Sequence, residues 1–417
     1  MACFRYFLIS LLAGGLLAAC APPANDIVEP IARTTATATA TVPPPPATAT
    51  APPTVTAPHP TAPPASAVVL PAPLYYLAEG DIWRMEQDGS TVLRITDELS
   101  NVIEFDISPL DGRLAYTLGT NDHTAQTLVL AAADGSAPTP QTRSETRLGS
   151  PRWSPNGTLL AYDTSGRSDL SDTGGTYILD TRTPGALPEL LQPNAPIPDP
   201  TNPTGGESYE FYAPLAWSPA GDALLLQASF GLAVRPLTGE LMNLLAPPGA
   251  DMPRLPCCDA TWSQDGQSVY VASDGDLVLS TITPGLWQAD RISGQSATLV
   301  MRRQAGSFAP TAAPYETPGG RLLMFATVTR RVPIPGMGPP PLLMSTYDRS
   351  RDPAFTYLRT DEYVPDEILW AQDGNGAVLR VFDNTSPMRS LVWLPADGSA
   401  AVPLERDGSN LHWGMVR

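Results

Sequence analysis

The chain has no lysine, so all 25 of its basic residues are arginine, and they face 42 acidic ones, for a net charge of −17. Such an excess repels phosphate backbones and argues against nucleic acid as a partner. Histidine is nearly absent: only His59, His123 and His412 occur, far apart in sequence. With no HExxH, no Cys/His zinc spacing and no phosphate-binding loop, the motifs of metalloproteases, zinc modules and nucleotide enzymes are missing. G-x-S-x-G, the signature of a serine-peptidase domain, is also missing. No cofactor is expected. Acidic side chains are plentiful, but carboxylates in loops are ordinarily just solvated. An enzyme working through channel carboxylates, a glycoside hydrolase or lyase, is the alternative to a non-enzymatic role.

The four cysteines divide by position. Cys3 lies in an N-terminal segment with Arg5 and an apolar stretch from Phe7 to Ala19, too short for an ordinary spanning helix. That stretch closes on Leu17-Ala18-Ala19-Cys20, which resembles a bacterial lipobox. The resemblance implies a signal peptide over 1–19, cleavage before Cys20 and acylation of Cys20. The competing reading is a plain secretory signal cut near Ala19. Cys257 and Cys258 are the remaining pair. Outside the cytoplasm thiols tend to oxidise. Adjacent Cα atoms lie near 3.8 Å apart, below the usual disulfide span of about 4.4–6.8 Å. Either a strained vicinal disulfide or two idle thiols is expected there.

Residues 20–73 form an acylated cysteine followed by an Ala/Thr/Pro-rich linker. Such composition cannot bury a core and stays extended, as a stalk between membrane and folded domain. The protein is therefore expected to be extracytoplasmic, in the cell envelope, held to the membrane by lipid and monomeric.

From Leu74 to Arg417 one pattern recurs: an aromatic residue, Ser-Pro-x-Gly, then an apolar run. Trp153-Ser154-Pro155-Asn156-Gly157 and Trp217-Ser218-Pro219-Ala220-Gly221 are the clearest copies. Others start at Ile107, Trp262, Glu316 and Trp370, with Glu316 the weakest. Proline presets one turn dihedral and glycine supplies the positive φ of a tight hairpin. A second turn follows in each unit, as at Asp88-Gly89 and Asp134-Gly135. Each unit then reads as four antiparallel strands, which is a propeller blade. Leu74 to Thr96 holds three strand signals without a leading aromatic strand, and Leu411 to Val416 looks like the missing one. The expected fold is all-β: a seven-bladed β-propeller, six-bladed if the Glu316 copy fails, closed by a blade shared between the two ends.

These hairpins resemble the PD40 repeats of TolB-like propellers, relatives of WD40. The resemblance covers nearly all of 74–417 and implies the fold; it implies little about function. TolB itself carries an additional α/β domain, which the linker replaces here.

Strand alternation sorts the connections onto two faces. The 1→2 and 3→4 hairpins are tight and share one face. The long insertions, Thr164–Gly175, Gln192–Tyr212, Arg331–Pro341 and Asp361–Glu367, fall on the 2→3/4→1 face. Elaborated loops on a rigid scaffold are where binding usually resides. Candidate ligand-face residues are Asp97, Glu98, Tyr209, Glu210, Tyr212, Asp259, Tyr363, Asp366 and Glu367. Carboxylates interleaved with aromatics suit a basic protein surface or a glycan. Ca²⁺ is a weaker expectation, since no EF-hand spacing occurs. The function expected is a membrane-tethered binding or scaffold module with an unknown protein or glycan partner.

Overall fold

A computed structural model describes residues 70–119, 126–165, 174–198, 207–229, 231–248, 250, 253–256, 259–273, 284–300, 309–329, 340–382, 389–404 and 406–415. Cys20, the linker up to residue 69, and Cys257 with Cys258 lie outside the described residues.

Among the described residues there is no helix, and the strands form seven four-stranded antiparallel sheets plus one two-stranded ribbon. Each sheet is one blade, numbered here round the ring. The inner strands of blades 2 to 7 are Asn101–Ile107, Leu148–Trp153, Tyr212–Trp217, Asp259–Trp262, Thr311–Glu316 and Pro365–Trp370. Within each of these blades the chain meanders outward through four consecutive strands. Blade 1 is different. Its inner strand is Ser409–Trp413, which pairs antiparallel with Leu74–Ala78, followed outward by Asp81–Met85 and Val92–Arg94. The ring is closed by hydrogen bonds between its two ends, as expected. The folded part starts earlier than Leu74: Leu70 is fully buried and its N–H donates to the Gln87 carbonyl at 2.8 Å.

The apolar runs are buried on both sides because each blade is sandwiched between two others. In Leu224-Leu225-Leu226, alternation points Leu224 and Leu226 toward blade 3 and Leu225 toward blade 5. A fully buried leucine contributes about 1.5–3 kcal/mol. The core is thus a chain of blade–blade interfaces, and closing the ring buries one more, between blades 7 and 1 around Leu74, Tyr76, Val378 and Trp393.

The recurring motif has a physical role at each position. The serine is buried and its Oγ accepts a backbone N–H across the turn, from Leu159 to Ser154 at 2.9 Å and from Ser268 to Ser263 at 2.9 Å. The glycine takes φ of 65° at Gly157 and 71° at Gly221, where L-residues are strained. The tryptophan ties blades together. Trp217 donates its indole N–H to the Arg152 carbonyl of blade 3 at 2.9 Å. Trp370 donates to Ala313 of blade 6, and Trp413 to Trp370 of blade 7, both at 2.7 Å. Blade 6 forms without this residue: Glu316 stands at the position, and Thr317 replaces the serine, its Oγ1 accepting from Arg321 N–H at 3.1 Å.

Candidate functional site

The connections sort as strand alternation requires. On the 1→2/3→4 face the longest is 181–188. On the other face they run from the two-residue turn Glu79-Gly80 to 194–211, which contains the extra ribbon Ala195–Pro198 paired with Glu207–Glu210. Some of the candidate residues expected in loops stand instead on strands. Tyr212, Asp259, Asp366 and Glu367 occupy the first positions of inner strands, so they form the floor of this face. Asp97 and Glu98 lie in the crossing from blade 1 to blade 2, and Tyr363 in that from blade 6 to blade 7.

The inner strands carry a feature that sequence reading missed. Those of blades 2, 3, 4, 6 and 7 have a register shift near the start, and the blade 1 pairing has one as well. Such a bulge releases a backbone N–H from the ladder. At Ser150, Ala313 and Asn410 the backbone also turns left-handed, with φ of 51°, 47° and 55°. Each of these three N–H groups is taken by a carboxylate from the preceding blade. Glu104 Oε2 accepts from Ser150 at 2.5 Å, Asp259 Oδ2 from Ala313 at 2.7 Å, and Glu367 Oε2 from Asn410 at 2.9 Å. Glu367 Oε1 also accepts from Leu411 N–H at 2.6 Å. All three acids, and all three recipients, stand three residues before the aromatic position of their own strand. Two of the candidate acids, Asp259 and Glu367, are therefore inter-blade ties around the channel. Burial with one such bond raises the Asp259 carboxyl above its ordinary range.

Most other candidate acids are partnered too. Glu210 is almost fully buried, ion-paired with Arg254, and accepts the Tyr212 hydroxyl at 3.2 Å. Burial, reinforced by Glu210, pushes the Tyr212 phenol up to about 12. Tyr363 donates to Asp361 at 2.9 Å and is likewise raised to about 12, chiefly by burial. The buried Arg359 clamps the same Asp361 with Nε at 2.9 Å and Nη2 at 3.0 Å. Asp366 pairs with Arg389. Glu98 accepts the Tyr116 hydroxyl at 2.5 Å. Asp97 is 87% exposed and meets Arg94 at 2.8 Å on the surface. Tyr209 is half-buried, its ring 5.6 Å from that of Phe211.

Two further clusters line the inner strands. Arg147 bridges Glu104, at 3.5 Å, and the buried Asp163. Burial pushes the Asp163 carboxyl up despite Arg147, and nearby Glu104 adds to the shift. His412 Nδ1 lies 3.2 Å from Asp106 Oδ1, linking blade 1 to blade 2, and Asp106 Oδ2 accepts from Trp153 N–H at 2.7 Å. Burial opposes ionisation of Asp106, but His412 and Arg152 outweigh it and hold the carboxyl below its usual range. Among the described residues no group of three His, Cys, Asp or Glu could hold a metal ion. The face thus combines a floor of partnered carboxylates with exposed acidic and half-buried aromatic side chains at its rim. Its chemistry suits recognition.

No protein-family model matches the sequence, and no curated protein matches it. Solved structures do. The chain is similar to TolB from Acinetobacter baumannii at 18% identity and a TM-score of 0.41, covering 72% of this chain and 66% of that one. A functionally unknown protein from Desulfotomaculum acetoxidans aligns at 10% identity and a TM-score of 0.50, covering 82% of this chain and 99% of the other. A prolyl endopeptidase aligns at 12% identity and a TM-score of 0.50, over 81% of this chain but 47% of the enzyme. The chain has a seven-bladed β-propeller fold. At these identities the likeness is one of fold alone, and it includes both an enzyme and a protein of unknown function.

Proposed function

We propose that the protein is a lipid-anchored, extracytoplasmic propeller that works as a binding or scaffold module through its 2→3/4→1 face. The observation that carries this reading is the state of the carboxylates on that face. Those at the channel are committed to backbone N–H groups, arginines or tyrosines. General acid–base chemistry needs a carboxyl free to exchange its proton with a bound substrate. The rim, by contrast, offers exposed Asp97, Leu99 and Glu362. Such a mixed acidic and apolar surface suits a basic protein patch or a glycan.

The competing reading, a carbohydrate-active hydrolase or lyase of the cell envelope, rests best on Glu104 and Asp163, two carboxyl groups that share Arg147. Arg147 is ion-paired with both, which favours a structural cluster. The anchor rests on Cys20: Cys20→Ala should release the protein from the membrane fraction or leave it unprocessed. Unchanged processing and fractionation would remove the lipid. The face is tested by charge reversal. Asp97→Arg with Glu362→Arg should abolish capture of a partner from intact envelope, whereas Ala220→Arg, in a turn of the opposite face, should leave it intact. Equal capture by both variants would refute the assignment.

A further inference from the structure

The Ser-Pro-x-Gly turns contact one another round their face. A methyl group built on Gly221 would lie 3.5 Å from Pro155 Cδ of the preceding turn, and one on Gly266 3.4 Å from Pro219 Cδ. Gly157 packs on Leu110 in the same way, and Gly374 on Thr317. Gln264 Nε2 donates to the Glu316 carbonyl at 2.6 Å, joining blades 5 and 6. Turn leans on turn from blade 2 to blade 7.

Blade 1 breaks this succession, because its first two strands come from opposite ends of the folded part. Gly414 N–H donates to the Pro73 carbonyl at 2.7 Å, and Met415 Sδ stands 3.5 Å from the methyl position of Gly112. Met415 therefore covers Gly112 as Pro155 covers Gly221. Among the described residues the rest of the place where a turn would sit is open. A cavity of about 440 Å³ lies there, between Ser108-Pro109 of blade 2 and Gln372-Asp373 of blade 7, with Trp413 in its wall. That volume is within the range of ligand pockets, about 300–1,000 Å³.

We propose that this cavity binds a tight, proline-bearing turn of a partner protein, of the form Ser-Pro-Arg-Gly. Three observations define the occupant. The flanking walls belong to the turns of blades 7 and 2, and elsewhere in the ring turn packs on turn, with a Ser-Pro-x-Gly turn at the three contacts from blade 2 to blade 5. Proline and glycine preset the turn, so little conformational freedom is lost on docking, and proline packs well on the flat face of an aromatic such as Trp413. Among the described residues Asp373 is the one charged side chain in the lining, and its exposed carboxylate accepts from Asn375 N–H and Nδ2 on its own turn. It favours a cation at the variable position. The chain's own turns carry Asn156, Ala220 and Asp265 at that position, none of them basic, so a second copy of this chain is a poor match. This site is on the opposite face from the one proposed above and stands independently of it.

The test uses a fluorescein-labelled cyclic peptide containing Ser-Pro-Arg-Gly, titrated with the full chain and followed by anisotropy. Saturable binding is expected. Asp373→Lys, an exposed position, should weaken it at least tenfold and should bind the corresponding Ser-Pro-Asp-Gly peptide better than the parent does. Met415→Trp, which narrows the cavity, should weaken both peptides. Asp97→Arg with Glu362→Arg should change nothing, which separates this site from the other face. No saturation up to about 1 mM, equal binding to parent and Asp373→Lys, or preference of the parent for the Asp peptide would overturn the proposal. Self-association of the chain competing with the peptide would overturn it as well, by naming a different occupant.

Discussion

Glu104, Asp259 and Glu367 share one register position and one task, which is to hold a backbone N–H that a bulge has expelled from the next blade's ladder. A hydrogen bond to a charged group is worth about 1.5–3 kcal/mol net, and Glu367 makes two to the closing strand. Glu367→Ala is therefore expected to cost about 2 kcal/mol in chemical denaturation. Asp97→Ala, at an exposed surface pair, should stay within about 0.5 kcal/mol. Equal effects would contradict the division between floor and rim. Asp259 adds a pH signature. Its folded carboxyl sits above the unfolded value of 3.8. Its stabilising share is thus full below about pH 4 and lost as pH rises through the raised folded value. Asparagine keeps an oxygen for Ala313 N–H without a charge to bury. Asp259→Asn should melt higher than the parent at pH 7, and the gain should shrink as pH falls toward 4. A gain independent of pH would rule out the burial argument.

At the scale of the element, the hairpin is the unit that sequence reading recovers well. Its proline, glycine and buried serine are local requirements, satisfied within five residues, so they show as a motif. The bulges on the inner strands do not. A bulge is defined by pairing with the neighbouring strand, and its capping carboxylate comes from the preceding blade: Glu104 serves Ser150, and Glu367 serves Asn410. Nothing near Ser150 announces this, although the shared three-residue offset from each aromatic position is a signal that aligned repeats would show. For the same reason Asp259 and Glu367 look like loop acids in sequence and prove to be strand residues with partners. The turns themselves yield a graded prediction. Gly221 has room for a methyl group, so Gly221→Ala bears only the left-handed backbone cost of about 1 kcal/mol. At Gly374 the added carbon would meet Thr317 Cγ2 at 2.4 Å, and Gly374→Ala should cost more than about 2 kcal/mol. Thermal or denaturant unfolding of the two variants checks the order, and a reversed order would contradict the turn-on-turn packing.

For the whole molecule, the fold was legible because six copies of one pattern and a blade shared between the two ends had to share their buried faces. The partner was not legible, because the irregular connections through which recognition is proposed do not repeat. The two faces differ in kind: one is a ring of short turns broken at the closure, the other a braced floor with an exposed acidic rim. On the proposed function, the second face meets the partner. Site-specific photo-crosslinking in intact envelope tests it most directly, with the probe placed in turn at Asp97, Glu362 and Ala220. Adducts of one shared mass from Asp97 and Glu362, with none from Ala220, are the expected result. Adducts from Ala220 alone, or equally from all three positions, would contradict the account.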